Sequence, residues 1–205
     1  MPTSEDQPGD QPPSQASSPH TSWFADSVEL ELSELGRLMR SLHPQQVKPA
    51  VDLLMSAPRI FALGAGRSGL ALRMGAMRLM HLGRTVHVAG ETTTPAIAQG
   101  DLLLVASASG SSAALLHAAG VAKKSGAKTL AITAQPESPL AAQADQLIVL
   151  PAATKAQFGE RASAQYAGSL FEQGLVLLLD AIFHGVWQAS GVPAETLMRR
   201  HANLE

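Results

Sequence analysis

With 205 residues, 16% of them charged and a formal net charge of −2, the chain has room for one substantial α/β domain but lacks a basic field to hold nucleic acid nonspecifically. It has no cysteine, which removes disulfide and thiolate chemistry and suits a reducing, cytoplasmic setting. Hydrophobic residues reach 45%, yet no uninterrupted run approaches the ~20 residues that span a bilayer, so the expected partners are small molecules and copies of the chain itself.

Residues 1–22 hold five prolines and five serines with almost no large apolar side chain, and they lack the charged start and apolar stretch of a signal peptide. A disordered tail is expected there, followed by a single domain over residues 23–205. From Trp23 the pattern changes. Val28, Leu30, Leu32, Leu35, Leu38, Met39 and Leu42 recur at near-helical spacing until Pro44, and a second helix is predicted over residues 44–55. These two helices precede the sheet and are expected to flank it or to build an oligomer.

The centre of the chain alternates strand and helix. Strands are predicted at residues 60–63, 85–89, 102–106, 129–133 and 147–150, with helices over 68–82 and 111–125 between them. Such runs imply a five-stranded, doubly wound parallel sheet of flavodoxin-like type, covered on both faces. Gly83, Gly100 and Gly126 fall where turns are needed, and Pro136 and Pro139 leave room for only a short helix before the fifth strand. A polar loop is expected after Pro151, then a long apolar helix over residues 163–189 and a last helix from Pro193, which suits a first helical turn. The sequence shows no internal repeat.

The chemistry begins at R-I-F-A-L-G-A-G-R-S-G, residues 59–69. A buried strand runs into a glycine turn, where Gly64 and Gly66 leave backbone N–H groups uncovered. Arg67 and Ser68 add a cation and a hydroxyl where the next helix begins, and the whole makes an anion site. G-A-G-R-S-G formally satisfies the dinucleotide pattern G-x-G-x-x-G, with Glu91 near the place of a ribose-binding acid. A second polar loop, Ser107-Ala108-Ser109-Gly110-Ser111-Ser112, argues otherwise, because dinucleotide binding does not need it. Helix capping by Ser111 or Ser112 accounts for part of its serines, but four in six residues exceed one cap. Two neighbouring strand ends bearing hydroxyls and helix N-termini describe a compact cradle for one phosphate.

G-A-G-R-S-G, M-R-L-M-H-L-G, G-E-T-T-T-P-A-I, G-D-L-L-L-V-A-S-A-S-G-S-S, G-A-K-T-L-A-I-T, S-L-F-E-Q and the closing R-H-A-N-L, in that order, resemble the 6-phospho-3-hexuloisomerases of the sugar isomerase (SIS) domain group. The resemblance runs from about residue 24 to the end of the chain. It implies an SIS fold, a homotetramer, no cofactor, and interconversion of D-arabino-hex-3-ulose 6-phosphate with D-fructose 6-phosphate in the ribulose monophosphate pathway of formaldehyde fixation. Where the family's text is close to S-G-S-G-E-T, this chain has Ala108 for a glycine and Ser111-Ser112 for Glu-Thr, and Ser112 keeps a hydroxyl. The related heptose phosphate isomerases resemble the chain in fold. The places where some of them carry a metal-binding His and Glu correspond here to Met74 and Arg78.

Isomerisation between adjacent carbons needs a base that takes a proton from one carbon and returns it to the next through an enediol. Glu172 lies near the start of a helix otherwise dominated by apolar residues, where burial works to raise a carboxyl's pKa toward the working range. The rival reading makes it part of an exposed face or a first-turn acid stabilised by the helix dipole; the resemblance implies the base. His81 is the candidate for opening a furanose ring. It lies thirteen residues past Ser68, about 20 Å along one helix, and so belongs at the far end of the sugar or in a neighbour's site. A helix-end histidine also serves as a plain dipole partner. His201, in the closing R-H-A-N-L, suggests work across a subunit interface. Asp180 and His184 share a helical face four residues apart, which reads as an ordinary helix pair, and no metal site is expected. The other readings are a different SIS sugar phosphate isomerase of the heptose phosphate type and a non-catalytic sugar phosphate sensor. The tail is too short and proline-rich for a DNA-binding domain.

Overall fold

The computed structural model describes residues 22–152 and 163–204. Residues 1–21 of the expected tail, and most of the polar loop expected after Pro151, lie outside the described residues. The chain opens with helix α1 (Ser22–Arg40) and helix α2 (Pro44–Ser56), the latter with proline in its first turn where a missing N–H costs nothing. Strand β1 (Ile60–Gly64) then leads into α3 (Gly66–His81), and β2 (Val86–Val88) follows. Next come β3 (Leu102–Ala106), α4 (Ala113–Lys124), β4 (Lys128–Thr133) and β5 (Gln146–Val149), with one turn of 3-10 helix at Ala141–Gln143. The long α5 (Ser169–Ser190) and the short α6 (Ala194–Met198) close the chain.

The five strands form one parallel sheet in the order β2-β1-β3-β4-β5, the doubly wound arrangement that the alternation of elements predicts. In register, Ile60 faces Leu102 and Gly64 faces Ala106, while Leu102 faces Lys128, so β1 and β3 end level with each other. Because side chains alternate along a strand, each strand feeds two cores. Ile60, Leu102, Leu104, Leu130, Ile132 and Ile148 pack with α2, α3 and α5 on one face, together with Leu38 of α1. Phe61, Leu103, Val105 and Ala131 pack with Leu115, Ala119 and Ala122 of α4 on the other. Each fully buried leucine or isoleucine contributes about 1.5–3 kcal/mol relative to exposure. At the end of the sheet away from the strand C-termini, Arg59 donates from Nε and Nη2 to both oxygens of buried Asp101, at 2.9 and 2.5 Å. That pairing holds the Asp101 carboxyl below its usual range.

Two boundaries differ from expectation for physical reasons. The last long helix begins at Ser169 rather than at residue 163. Buried Glu34 of α1 holds the preceding residues: the Ser163 hydroxyl donates to its Oε2 at 2.6 Å, the Ala164 N–H to its Oε1 at 2.8 Å, and the Gln165 amide to Oε2 at 3.2 Å. Ala167 then takes φ 51, a left-handed turn through which no helix continues. Pro193 stands at the N-cap of α6, one residue before its first turn. With 22 residues and a mean hydropathy of 1.3, α5 is long and apolar enough to cross a membrane by those measures alone. Much of its apolar side, including Phe171, Leu175, Leu178 and Leu179, is buried in the core.

Candidate active site

Strands β1 and β3 are neighbours in the sheet, but their following helices lie on opposite faces. Between them is the switch point at which a doubly wound sheet opens a crevice beyond its strand ends. A cavity of about 390 Å³ occupies that crevice, and Ser68, Ser107, Ser109, Ser111 and Ser112 all line it. The serines of both glycine loops thus meet in one place. Neither α3 nor α4 has a side-chain cap: Ala65 stands at the N-cap of one and Ser112 at the N-cap of the other, and neither makes a capping hydrogen bond. The capping role expected of Ser112 is therefore absent. Ser111 likewise spends its hydroxyl elsewhere, donating to Ser109 Oγ at 3.0 Å.

The loop is held from behind by residues that the sequence reading missed. The Thr133 hydroxyl donates to the Ala108 carbonyl at 3.1 Å, and the Ala134 N–H donates to that same oxygen at 3.1 Å. Gly110 sits at φ +59, and a Cβ there would lie 2.2 Å from Ser138 Oγ, so only glycine lets the loop close over β4. Gly69 is equally constrained, since its Cβ would lie 2.5 Å from the Gly64 carbonyl oxygen where α3 crosses the end of β1. The signal available in the sequence was the polar end of the fourth strand, next to the third.

Gly66 begins α3, Arg67 follows it, and the Arg67 side chain reaches across to α5, where its Nε donates to Glu172 Oε2. Glu172 is 6% exposed, which rules out the reading as part of an exposed face, and it stands in the first turn of α5, where the dipole reading also placed it. Its carboxylate has a guanidinium for a counter-charge, supplied by the residue next to Ser68. One side chain therefore joins the first turn of α3, which carries Ser68, to the buried acid.

His81 and His201 come together at the other end of α3, away from the serines. Their rings stack with centroids 4.8 Å apart. Arg200 ties this corner down by donating to the His81 carbonyl at 2.6 Å. His81 is 4% exposed and its Nε2 has no hydrogen-bond partner, at the wall of a second cavity of about 520 Å³ shared with Arg78, Trp187, Glu195 and His201. Burial, then the charges of His201 and Arg78, lower its pKa from the ordinary 6.5. Because the unfolded chain takes up this proton before the folded one does, stability is lost as pH falls below about 6.5. Buried Glu34 and Asp101 and exposed Asp145 also have lowered pKa values, but they act only below their ordinary values of 4.5 and 3.8. The melting temperature should therefore fall between about pH 7.5 and pH 5.5, and His81→Gln should flatten that slope. An equal slope in the variant would assign the effect to another group.

Asp180 does not pair with His184. Its Oδ1 lies 3.4 Å from Arg78 Nε, and His184 instead sets its ring edge-on to Trp187. Among the described residues no three His, Asp or Glu side chains cluster as a metal site. Glu91 is bound to Arg73 at 2.5 Å on the outer side of α3.

If the serines hold a phosphate, Ser68→Ala and Ser109→Ala each remove a hydrogen bond to a charged group worth ~1.5–3 kcal/mol. Both variants should raise KM roughly ten- to a hundredfold with little change in kcat. Steady-state kinetics on each checks this, and an unchanged KM in both would move the phosphate elsewhere.

The SIS domain family model matches residues 53–172, which takes in both serine loops and ends on the buried glutamate. A 3-hexulose-6-phosphate isomerase of Mycobacterium gastri is 50% identical over 182 residues, covering 89% of this chain and 92% of that protein. A 3-hexulose-6-phosphate isomerase of Bacillus subtilis is 40% identical over 175 residues, covering 85% and 95%. Among solved structures, a Methanococcus jannaschii protein, whose structure is reported to infer a molecular function of 3-hexulose-6-phosphate isomerase, superposes with a TM-score of 0.75. It is 27% identical, and the match covers 88% of this chain and 99% of that one.

Proposed function

The chain belongs to the SIS domain family, among its 3-hexulose-6-phosphate isomerases, and from that membership we propose that it interconverts D-arabino-hex-3-ulose 6-phosphate and D-fructose 6-phosphate. This is the isomerase step of formaldehyde fixation by the ribulose monophosphate pathway, and we assign it to the cytoplasm and to a single domain over residues 23–205. The observation that carries the reading is the bond to buried Glu172 from Arg67, the neighbour of Ser68 in the first turn of α3, with Ser68 itself in the wall of a serine cavity of phosphate-binding make-up.

The serines and the two uncapped helix N-termini hold the 6-phosphate, which leaves C2 and C3 toward Glu172. Starting from open-chain fructose 6-phosphate, Glu172 takes the proton from C3, the C3–H electron pair forms the C2–C3 double bond, and the C2 carbonyl becomes an enediol oxygen. The O3 proton passes to O2 as the C3 carbonyl forms, and Glu172 returns its proton to C2, which leaves a C2 hydroxyl beside the new ketone. No electron leaves the substrate, so the reaction draws on no redox cofactor. Arg67 places positive charge where the enediolate develops.

The assembly we propose is a homotetramer, and two separate exposed apolar stripes favour it over a single interface. One is on α1. The other is on α3, where Leu70, Met74 and Met77 are 61%, 55% and 53% exposed at helical spacing. Two copies of α3 laid antiparallel along that stripe bring the His81 and His201 end of one beside the Arg67 and Ser68 end of the other. In that arrangement His81 helps to open the furanose ring in the neighbour's site, where a group about 20 Å from its own serines can act. His201 would contribute across the same interface.

The test is solvent exchange. With fructose 6-phosphate in deuterated water, NMR should show label at C3, the carbon from which a 2,3-enediol takes its proton. Label at C1 would reveal a 1,2-enediol and a different sugar phosphate isomerase. Binding without any exchange would mark a sensor.

A further inference from the structure

We infer that residues 22–33 of α1 form an arm that seats in an apolar groove of a second copy of the chain, each copy receiving the other's arm. The inference rests on the homotetramer proposed above and specifies one of its contacts. Every residue from 22 to 33 is exposed, and α1 first buries a side chain at Glu34 and then at Leu38. Yet the arm is not a solvent helix by composition. Phe24, Val28 and Leu32 fall four residues apart on one face, 62%, 39% and 62% exposed, beside Trp23 at 64%. Without a partner, a helical segment of about twelve residues is marginal in water, and a contiguous apolar stripe of this size marks an interaction surface.

The groove that fits it lies at the other end of the same helix. Met39 and Leu42 at the end of α1, Val47 and Val51 of α2, and Leu178 and Ile182 of α5 line a largely apolar cavity of about 550 Å³. A chain cannot fill its own groove with its own arm, because Phe24 and Met39 are fifteen residues apart on one continuous helix, about 22 Å. A two-fold axis removes that obstacle, since arm and groove are the two ends of one apolar stripe and each meets the other's complement. The charges agree with this pairing. The arm carries Asp26, Glu29 and Glu31 and no basic residue, while Lys48 lines the groove in an ion pair with Asp52, a lining acid, at 2.6 Å, and exposed Arg40 and His43 are next in sequence to the lining Met39 and Leu42.

The experiment uses the full chain and measures association by sedimentation velocity across a concentration series. The triple variant Phe24→Glu, Val28→Glu, Leu32→Glu should weaken association on the order of a hundredfold or more, with circular dichroism showing a folded protomer that loses no more helix than the arm itself, because those side chains are exposed in it. Glu29→Arg with Glu31→Arg should also weaken association, and adding Arg40→Glu with Lys48→Glu should restore it. Deleting residues 1–21 should change nothing. If the parent assembles and the arm variants do not weaken it, or if the compensating reversal restores nothing, the arm is not in the groove although the tetramer stands. Loss of assembly on deleting residues 1–21 would make the tail the occupant and overturn the inference. A parent chain that stays monomeric at micromolar concentration sinks both.

Discussion

Glu172→Gln is expected to lower kcat with fructose 6-phosphate about 10²- to 10⁴-fold, the usual worth of a positioned acid–base group, while phosphate affinity hardly moves. Gln keeps the size and the hydrogen-bonding reach of the acid and loses the ability to accept a proton from carbon. The side chain is nearly enclosed and bonded to Arg67, so an isosteric replacement disturbs the packing of α5 least. Binding and chemistry should separate in this variant, because the serines grip C6 while the carboxylate works at C2 and C3. Exchange of deuterium into C3 should fall in step with turnover, since both depend on one proton abstraction. Full turnover by the variant would remove Glu172 from the reaction.

His81→Gln should give a comparable loss with fructose 6-phosphate and a smaller one with the 3-hexulose phosphate. The C5 hydroxyl closes a furanose on a C2 carbonyl but cannot close one on a C3 carbonyl. The decisive measurement mixes the Glu172→Gln and His81→Gln proteins under conditions that allow subunit exchange. If each site takes its glutamate from one subunit and its histidine from the reciprocal neighbour, half of the pairs are mixed and half of their sites are intact, so about a quarter of wild-type activity returns. Sites made within one chain regain nothing. The outcome tests the geometry directly, because the structure sets the His81 and His201 cavity at the far end of α3 from the serines.

The strands were legible because a strand buried on both faces reads as an unbroken apolar run, as at Leu102–Ala106, and glycine marked the turns between them. That the two serine-bearing loops meet was legible for a related reason: each places small polar residues at the end of one of two neighbouring strands. What could not be read depends on side chains far apart in the chain. Nothing local to Ser163 announces that Glu34 will capture it, so the apolar helix was expected six residues too early. Nothing local to Arg67 names Glu172, 105 residues away. Thr133 closes the fourth strand and Ser138 lies between Pro136 and Pro139 beyond it, and only the folded sheet puts both behind Gly110. Asp180 and His184 have the spacing of a helix pair, and the sequence of α5 does not show that α3 offers Arg78 instead.

Glu34 joins two matters that are otherwise remote. It is the residue at which the exposed turns of α1 meet the body, and its carboxylate fastens Ser163, Ala164 and Gln165, which lead directly into the helix that carries Glu172. On the proposed assembly, the ordering of α1 by a second copy and the ordering of the helix that carries Glu172 would form linked equilibria, and by reciprocity whatever free energy a bound sugar phosphate adds to association, association adds to its binding. Specific activity would then depend on protein concentration, by way of a single carboxylate.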